Sequence, residues 1–278
     1  ECVLIGFMSA KREDIKEHEL QGLKYFKAIG GLLDGLHEAG CRRDKAGNRL
    51  LHMDQYMSLL LLYMFNPICT SLRAVQQASE LKKVQQKLGC PRASLGSLSE
   101  SARVFDSSLM QEVLENLSAQ LKPVCRHAKF EDLSGILTAV DGTLIPAFSK
   151  MTWAMWKTES NAVKAHTQFD LEKHVPVKIT ITEGKGDERA ALAENLESGR
   201  IYVQDRGYAS LALFKQILDQ HSSFVCRIRD NSVYDVLEER PLTDDAVAAG
   251  IVLDQTVRLG GDPKTQKQLS VPVRLIAI

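Results

Sequence analysis

Leu137-Thr-Ala-Val-Asp-Gly-Thr143 and Ile201-Tyr-Val-Gln-Asp-Arg-Gly-Tyr208 decide how this chain is read. Each is a short apolar run that reads as a buried strand, closed by an aspartate, Asp141 or Asp205. Each aspartate leads at once into a glycine-containing turn. A carboxylate at the end of a core strand is costly to bury unless a cation sits beside it. Two of them, on strands that can lie side by side, suggest a divalent-metal site. Hard oxygen ligands suit Mg²⁺ or Mn²⁺, which keep several waters and share a substrate phosphate. The chemistry to expect is metal-assisted phosphoryl transfer. The plainer reading is that both acids merely begin turns, because Asp-Gly is a common turn dipeptide.

Working outward from the two aspartates, the pattern from Ile136 to Arg229 is one of strands and then alternating helices and strands. Ile136–Val140 reads as the first strand, Val163–Phe169 and Pro176–Thr182 alternate as a hairpin around a turn at 171–174. Asp187–Leu196 reads as a helix, Arg200–Gln204 as a strand, Ser210–Gln220 as a helix capped by Ser210, and Ser223–Arg229 as a strand. Three antiparallel-type strands thus feed a right-handed β-α-β-α-β crossover. This is the ribonuclease-H-like order, in which the strands of Asp141 and Asp205 are neighbours.

Residues 1–130 read as mainly helical, with helices expected at Met53–Phe65, Leu72–Leu88, Ser97–Phe105 and Ser108–Leu121. Asn66-Pro67 ends the first of these and Gly89-Cys-Pro91 the second. Residues 231–278 read as the start of a β-rich insertion, with strands near Val233–Leu237, Val252–Leu259 and Leu269–Ala277. The fold class expected is mixed α+β and α/β. An N-terminal helical, DNA-binding region (1–130) precedes a catalytic core (131–230) and an incomplete insertion (231–278).

A charged share of 25% with net charge zero gives no overall basic signature for nucleic acid. The charge is nevertheless uneven: residues 1–130 carry 18 basic against 14 acidic side chains, and residues 131–278 carry 17 against 21. That balance fits a basic binding region ahead of an acidic catalytic one. The six cysteines are scattered without a C-x-x-C pair, so neither a zinc knuckle nor a dense disulfide framework is expected. The seven-residue apolar run Leu59–Phe65 is too short to span a bilayer, and no signal peptide is visible. A reduced, cytoplasmic protein is expected. The chain opens at Glu1 without an initiator methionine, from which an incomplete reading frame is expected.

Ala139-Val-Asp-Gly-Thr143, Lys164-Ala-His-Thr-Gln-Phe-Asp170, Gly184-Lys-Gly-Asp187 and Gln204-Asp-Arg-Gly-Tyr208, in this order, resemble the DDE transposases of bacterial insertion sequences, insertion-sequence-four type. The resemblance covers residues 130–278 and, more loosely, the region from residue 30. It implies a ribonuclease-H-like core carrying a β insertion. It makes Asp141 and Asp205 the first two acids of a metal-binding triad that uses Mg²⁺ or Mn²⁺. The activity implied is cleavage and strand transfer at the ends of the element, by at least two protomers on double-stranded element-end and target DNA. A bacterial, nucleoid-associated location follows. The family's third acid lies in a Tyr-x2-Arg-x3-Glu-x6-Lys signature, which does not occur here. Counted from Tyr234, the arginine position holds Leu237 and the glutamate position Pro241, and a truncated chain is therefore expected.

Further DNA contacts are expected at Lys164 and His166, on one side of a strand beside that of Asp141, and at Arg206 and Tyr208 after Asp205. Lys157 joins them, because Lys150 and Lys157 flank Trp153 and Trp156 in a basic-aromatic mix. Lys82, Lys83, Lys87, Arg92 and Arg103 could add nonspecific phosphate contacts. Each of these also reads as an ordinary solvated or packed side chain. Two rival functions stand beside the transposase: a nuclease of the same fold without strand transfer, and a non-catalytic, transposase-derived DNA-binding protein.

Overall fold

The computed structural model of the chain describes residues 15–39, 44, 47–124, 130, 132–147, 155–157 and 160–278, with the side chains of 147, 155–157 and 160 excepted. Two compact units are present, Glu1–Val113 and Leu114–Ile278.

The first unit is helical: α1 (Phe26–Leu33), α2 (Leu36–Ala39), α3 (Met53–Phe65), α4 (Leu72–Glu80), α5 (Lys82–Leu88), α6 (Leu95–Val104) and the start of α7 (Leu109–Gln120). Its core holds Leu51, Met53, Leu59, Leu62, Val75, Val84 and Leu98, all essentially without solvent contact. Short side chains set the helix starts. Ser71 Oγ accepts the Ala74 amide at 3.2 Å and Ser94 Oγ the Ser97 amide at 3.0 Å. The single helix expected over 72–88 is two, because Leu81 is extended (φ −76°, ψ 128°). Buried Ser79 explains the break. Its hydroxyl donates to the Gln76 carbonyl (2.7 Å) and accepts the Ala93 amide (3.0 Å), while its carbonyl takes Gln85 Nε2 (2.9 Å). Polar groups at that turn are thus bonded outside the helical ladder.

The second unit is built on a six-stranded sheet. Its strands are β1 (Ile136–Ala147), β2 (Met155–Lys157), β3 (Ser160–Asp170), β4 (Val175–Glu183), β5 (Arg200–Gln204) and β6 (Ser223–Cys226). β3 runs antiparallel to β1, and β4 and the short β2 pair with β3. On the other side of β1, β5 and then β6 run parallel. Helices α8 (Glu188–Ala193) and α9 (Leu211–Asp219) make the two crossovers. The result is the ribonuclease-H-like arrangement within a mixed α and β chain. Val140, Leu192, Tyr202, Tyr208, Leu213 and Ile217 pack together in its core.

Strand β1 departs from expectation. Asp141-Gly142 does not turn; the strand continues to Ala147 because β3 supplies partners as far as Ala147↔Asn161. Its pairing with β5 stops at Ala139↔Val203, so Asp141 falls just where β1 and β5 part. Helix α9 follows Ser210, but that hydroxyl makes no cap hydrogen bond.

After β6 come β7 (Tyr234–Glu239), α10 (Asp244–Ala248), β8 (Leu253–Leu259), α11 (Pro263–Gln266) and β9 (Val273–Ala277), with the strands in one antiparallel sheet. Val257, Leu259 and Leu269 of this segment pack on Phe214 of α9. The two short helices were not expected. Thr243 Oγ1 caps the first through the Ala246 amide (3.2 Å), and Asp262 Oδ1 caps the second through the Lys264 and Thr265 amides (2.9 Å each).

Candidate active site

Four consecutive pairs, Ile136↔Arg200 to Ala139↔Val203, fix a constant offset of 64 residues between β1 and β5. Carried on two residues, the same offset sets Asp141 level with Asp205. Each acid thus follows the last paired residue of its strand, Ala139 or Val203, by two positions. Both residues are exposed. Asp141 Oδ1 accepts the Gly142 amide at 2.8 Å, and Asp205 Oδ1 accepts the Gly207 amide at 2.8 Å. The thiol of Cys226 donates to the Asp205 carbonyl at 3.3 Å, and burial, then the Asp205 charge, pushes that thiol up to about 11. Among the described residues neither carboxylate has a Lys or Arg partner, and the Oδ2 of each accepts no hydrogen bond.

A third carboxylate, that of Glu188, lies against Gly142. Glu188 opens α8 directly after its cap, Asp187, whose Oδ1 accepts the Arg189 amide at 2.9 Å. A side chain at position 142 would bring its Cβ to 2.7 Å from Glu188 Oε1 and 2.9 Å from Glu188 Cδ. Only glycine leaves Glu188 that position. Lys164, across from Leu144 on β3, holds Glu188 Oε1 at 3.1 Å and donates to the Gly186 carbonyl at 3.1 Å. Tyr208 packs in the core, 2% exposed. Burial first, then the charges of Glu188, Asp141 and Asp205, hold its phenol above the usual range. Among the described residues its hydroxyl has no hydrogen-bond partner.

The sequence-expected DNA contacts are placed unevenly. Arg206 is exposed beside Asp205 and lines a surface depression with Arg229, Asp230 and Asn231. Tyr208 is a core residue and presents no ring to solvent. His166 is 7% exposed, and its Nε2 lies 2.8 Å from Thr182 Oγ1. Burial, then the Lys164 charge, lowers its pKa. Lys164 is engaged by Glu188 and Gly186. Lys157 closes β2 with its side chain outside the described set, and Lys150 and Trp153 lie outside the described residues altogether. Glu188 went unmarked in the sequence; its position after a capped Asp187 was the available signal.

The chemistry of the donors suits a hard divalent ion. Two carboxylates, each with an oxygen left over by its backbone amide and with no competing cation, match the one or two protein carboxylates that Mg²⁺ takes alongside water and phosphate. Among the described residues no three His, Cys, Asp or Glu side chains are already arranged to hold one ion together.

Residues 133–267, which include Asp141, Glu188 and Asp205, match the family model of the transposase DDE domain. Two curated relatives are similar over about half of the chain. "Putative transposase y4zB" of Sinorhizobium fredii is 27% identical over 148 residues, 51% of this chain and 40% of that protein. "Probable transposase for insertion sequence element IS5377" of Geobacillus stearothermophilus is 23% identical over 145 residues, 51% of this chain and 38% of that protein. The chain therefore spans about two fifths of the length of these relatives. A solved piggyBac transposase synaptic complex with hairpin DNA aligns to 75% of this chain and 50% of its own, with 14% identity and a TM-score of 0.35. A likeness at that score carries no argument about this chain. Among the described residues no helix is long and apolar enough to cross a membrane.

Proposed function

We propose that this chain acts as a DDE transposase of the insertion-sequence-four type, cleaving phosphodiester bonds at the ends of its element and joining them to target DNA. The observation that carries this reading is that Asp141 and Asp205 each lie two residues past the last paired position of adjacent parallel strands, both exposed and, among the described residues, without a Lys or Arg partner. The match to the transposase DDE domain and the two similar transposases favour strand transfer over simple nuclease action. The β7–β8–β9 sheet, following directly on β6, fits the β insertion of that type.

A bound Mg²⁺ or Mn²⁺ would supply charge neutralisation at the attacking and leaving oxygens of an in-line displacement. The protein's own part is positional. Asp141 and Asp205 would hold the cation near the scissile phosphate. The amides of Gly142 and Gly207 fix one oxygen of each acid, Oδ1, and leave Oδ2 without a hydrogen bond among the described residues. Arg206, exposed next to Asp205, offers a planar fork to a backbone phosphate. Tyr208 keeps its proton at neutral pH, so toward neighbouring anions it acts as a donor. Lys164 and His166 serve β3, β4 and Glu188 instead of DNA. Lys157 remains a proposed phosphate contact. The basic side chains of the helical region, Lys82, Lys83, Lys87 and Arg103 among them, supply salt-sensitive contacts to the duplex. Double-stranded DNA is the partner, two protomers bring two element ends together, and the site of action is the bacterial nucleoid.

The test is cleavage of a supercoiled plasmid carrying both borders of the source element. Nicking should require Mg²⁺ or Mn²⁺ and fall on the order of 100-fold in Asp141→Asn and in Asp205→Asn. Joining of the cut ends to a second duplex should accompany it. Cleavage without joining would leave a nuclease. DNA binding with no metal-dependent cleavage would leave a non-catalytic binding protein.

A further inference from the structure

We propose that Arg229 and Arg206 form a phosphate clamp, the two guanidinium groups taking one backbone phosphate of the DNA in the depression that both of them line. This rests on the reading of the chain as a DNA-cleaving enzyme, and it adds Arg229, a residue of the loop after β6, to the surface that meets the partner.

The fold brings the two arginines together from different strands. In open α/β sheets, ligands bind outside the carboxyl ends of the parallel strands, and Arg206 and Arg229 each follow such an end. Arg206 sits in the turn after β5, where the Tyr208 amide donates to the Asp205 carbonyl (3.2 Å) and the Ala209 amide to the Arg206 carbonyl (3.3 Å). Tyr208 anchors that turn in the core, while Arg206 stays exposed. The Arg227 amide donates to the Gln204 carbonyl at 3.3 Å, so the chain leaving β6 is still held to the end of β5. Two residues on, a second turn closes with the Ser232 amide on the Arg229 carbonyl at 3.0 Å. One depression is thereby lined by Arg206, Arg229, Asp230 and Asn231, all exposed.

The two positive charges lack counterparts. Arg189, Arg200 and Arg274 of the same unit each meet a carboxylate, at 3.0, 2.6 and 2.6 Å. Among the described residues, the side chains of Arg206 and Arg229 meet none, although an acid adjoins each in sequence, Asp205 and Asp230. Two guanidinium groups around one space repel each other, and a shared anion offsets that repulsion. A phosphodiester suits the role, with two free oxygens for two planar forks. The Asn231 amide adds a neutral donor of the kind that DNA backbones accept.

The experiment is a fluorescence-anisotropy titration of the 278-residue chain on two labelled duplexes, one carrying a border of the source element and one unrelated. EDTA is present, so that no divalent ion contributes. Wild type, Arg206→Gln, Arg229→Gln and the double variant are compared over a range of salt, each checked for native circular dichroism. Arg240→Gln, at an exposed arginine just past β7, controls for the loss of one charge. Arg229→Gln should weaken binding to both duplexes alike, by about threefold to tenfold, and lower the salt slope by about one. The double variant should lose less than the product of the two single losses, because groups that share one ligand are not independent. Arg240→Gln should stay within about twofold of wild type. If Arg229→Gln behaves like Arg240→Gln, the inference falls and the reading of the aspartate pair stands. If it weakens the border duplex alone, Arg229 reads a base and the phosphate clamp is wrong. If the two losses multiply, the arginines hold separate phosphates and the clamp is wrong again. If wild type binds neither duplex, the inference and the reading beneath it both fail.

Discussion

Lys164 and Glu188 join two elements that hydrogen-bonded pairing does not connect: Lys164 stands in the middle of β3, Glu188 at the first turn of α8, and their charged atoms meet at 3.1 Å. Glu188 lies against Gly142 of β1, and the pair ties β3 to the first crossover helix. Asp141 and Asp205, by contrast, have no such tie among the described residues. The charge pattern of the site is therefore lopsided, with one acid balanced and two left unbalanced.

Unbalanced acids placed level on neighbouring strands repel one another. Asn at 141 or 205 keeps the acceptor that binds the following amide and removes the charge. Asp141→Asn and Asp205→Asn should therefore melt at the wild-type temperature or about 1–3 °C above it in scanning calorimetry. A fall of similar size would mean that the acids serve the fold instead of a ligand.

Gly186 ends the turn after β4, and a Cβ there would lie 2.7 Å from the Cβ of Thr182 and 3.1 Å from the Glu183 carbonyl oxygen. These are not the far ends of flexible chains, so the backbone must move. Gly186→Ala should cost about 1–3 kcal/mol in urea denaturation. It should also disturb the carbonyl that anchors Lys164.

His166 gives a pH signature. Burial first and the Lys164 charge next lower its pKa from 6.5, with Glu188 and Asp187 opposing. Below about pH 6.5 the unfolded chain takes a proton that the folded chain refuses, so the unfolded state gains. The stabilisation from a neutral His166 is whole above that pH and declines below it, down to the folded value. Urea midpoints measured at pH 7.5 and 5.5 should differ less in His166→Gln than in wild type. An unchanged difference would remove His166 as the source.

In the helical unit, Ser79→Ala would leave the Ala93 amide without its 3.0 Å acceptor in a site closed to water. An orphaned buried donor costs about 1–3 kcal/mol. Hydrogen exchange at the Ala93 amide should accelerate accordingly, and an unaltered rate would show that another acceptor takes over.

What the sequence made legible were features settled by neighbouring residues. Arg200–Gln204 is a strand over the expected range, bounded by Gly199 and Asp205, and Met53–Phe65 is a helix that Asn66-Pro67 ends. What it hid were features decided by distant partners. The extension of β1 past Asp141 depends on β3, some twenty residues on, which overrides the turn preference of Asp-Gly. The break at Leu81 depends on Ser79 reaching Ala93. Tyr208 looked like a surface contact because it follows Asp205 and Arg206 closely, yet it closes the turn by returning its ring to the core. Glu188 gained meaning only once Gly142 was seen to make room for it.

The 64-residue offset between the two aspartates also orders events while the chain is being made. Ile136–Glu183 can pair as β1, β3 and β4 soon after leaving the ribosome, because those contacts are local. Asp205 emerges roughly 3–13 s after Asp141 at a synthesis rate of about 5–20 residues per second. During that interval the nascent polypeptide carries one acid of the pair and nothing opposite it. The proposed cation pair thus arrives late, as a property of the closed sheet, and a translation product ending before β5 has Asp141 without Asp205.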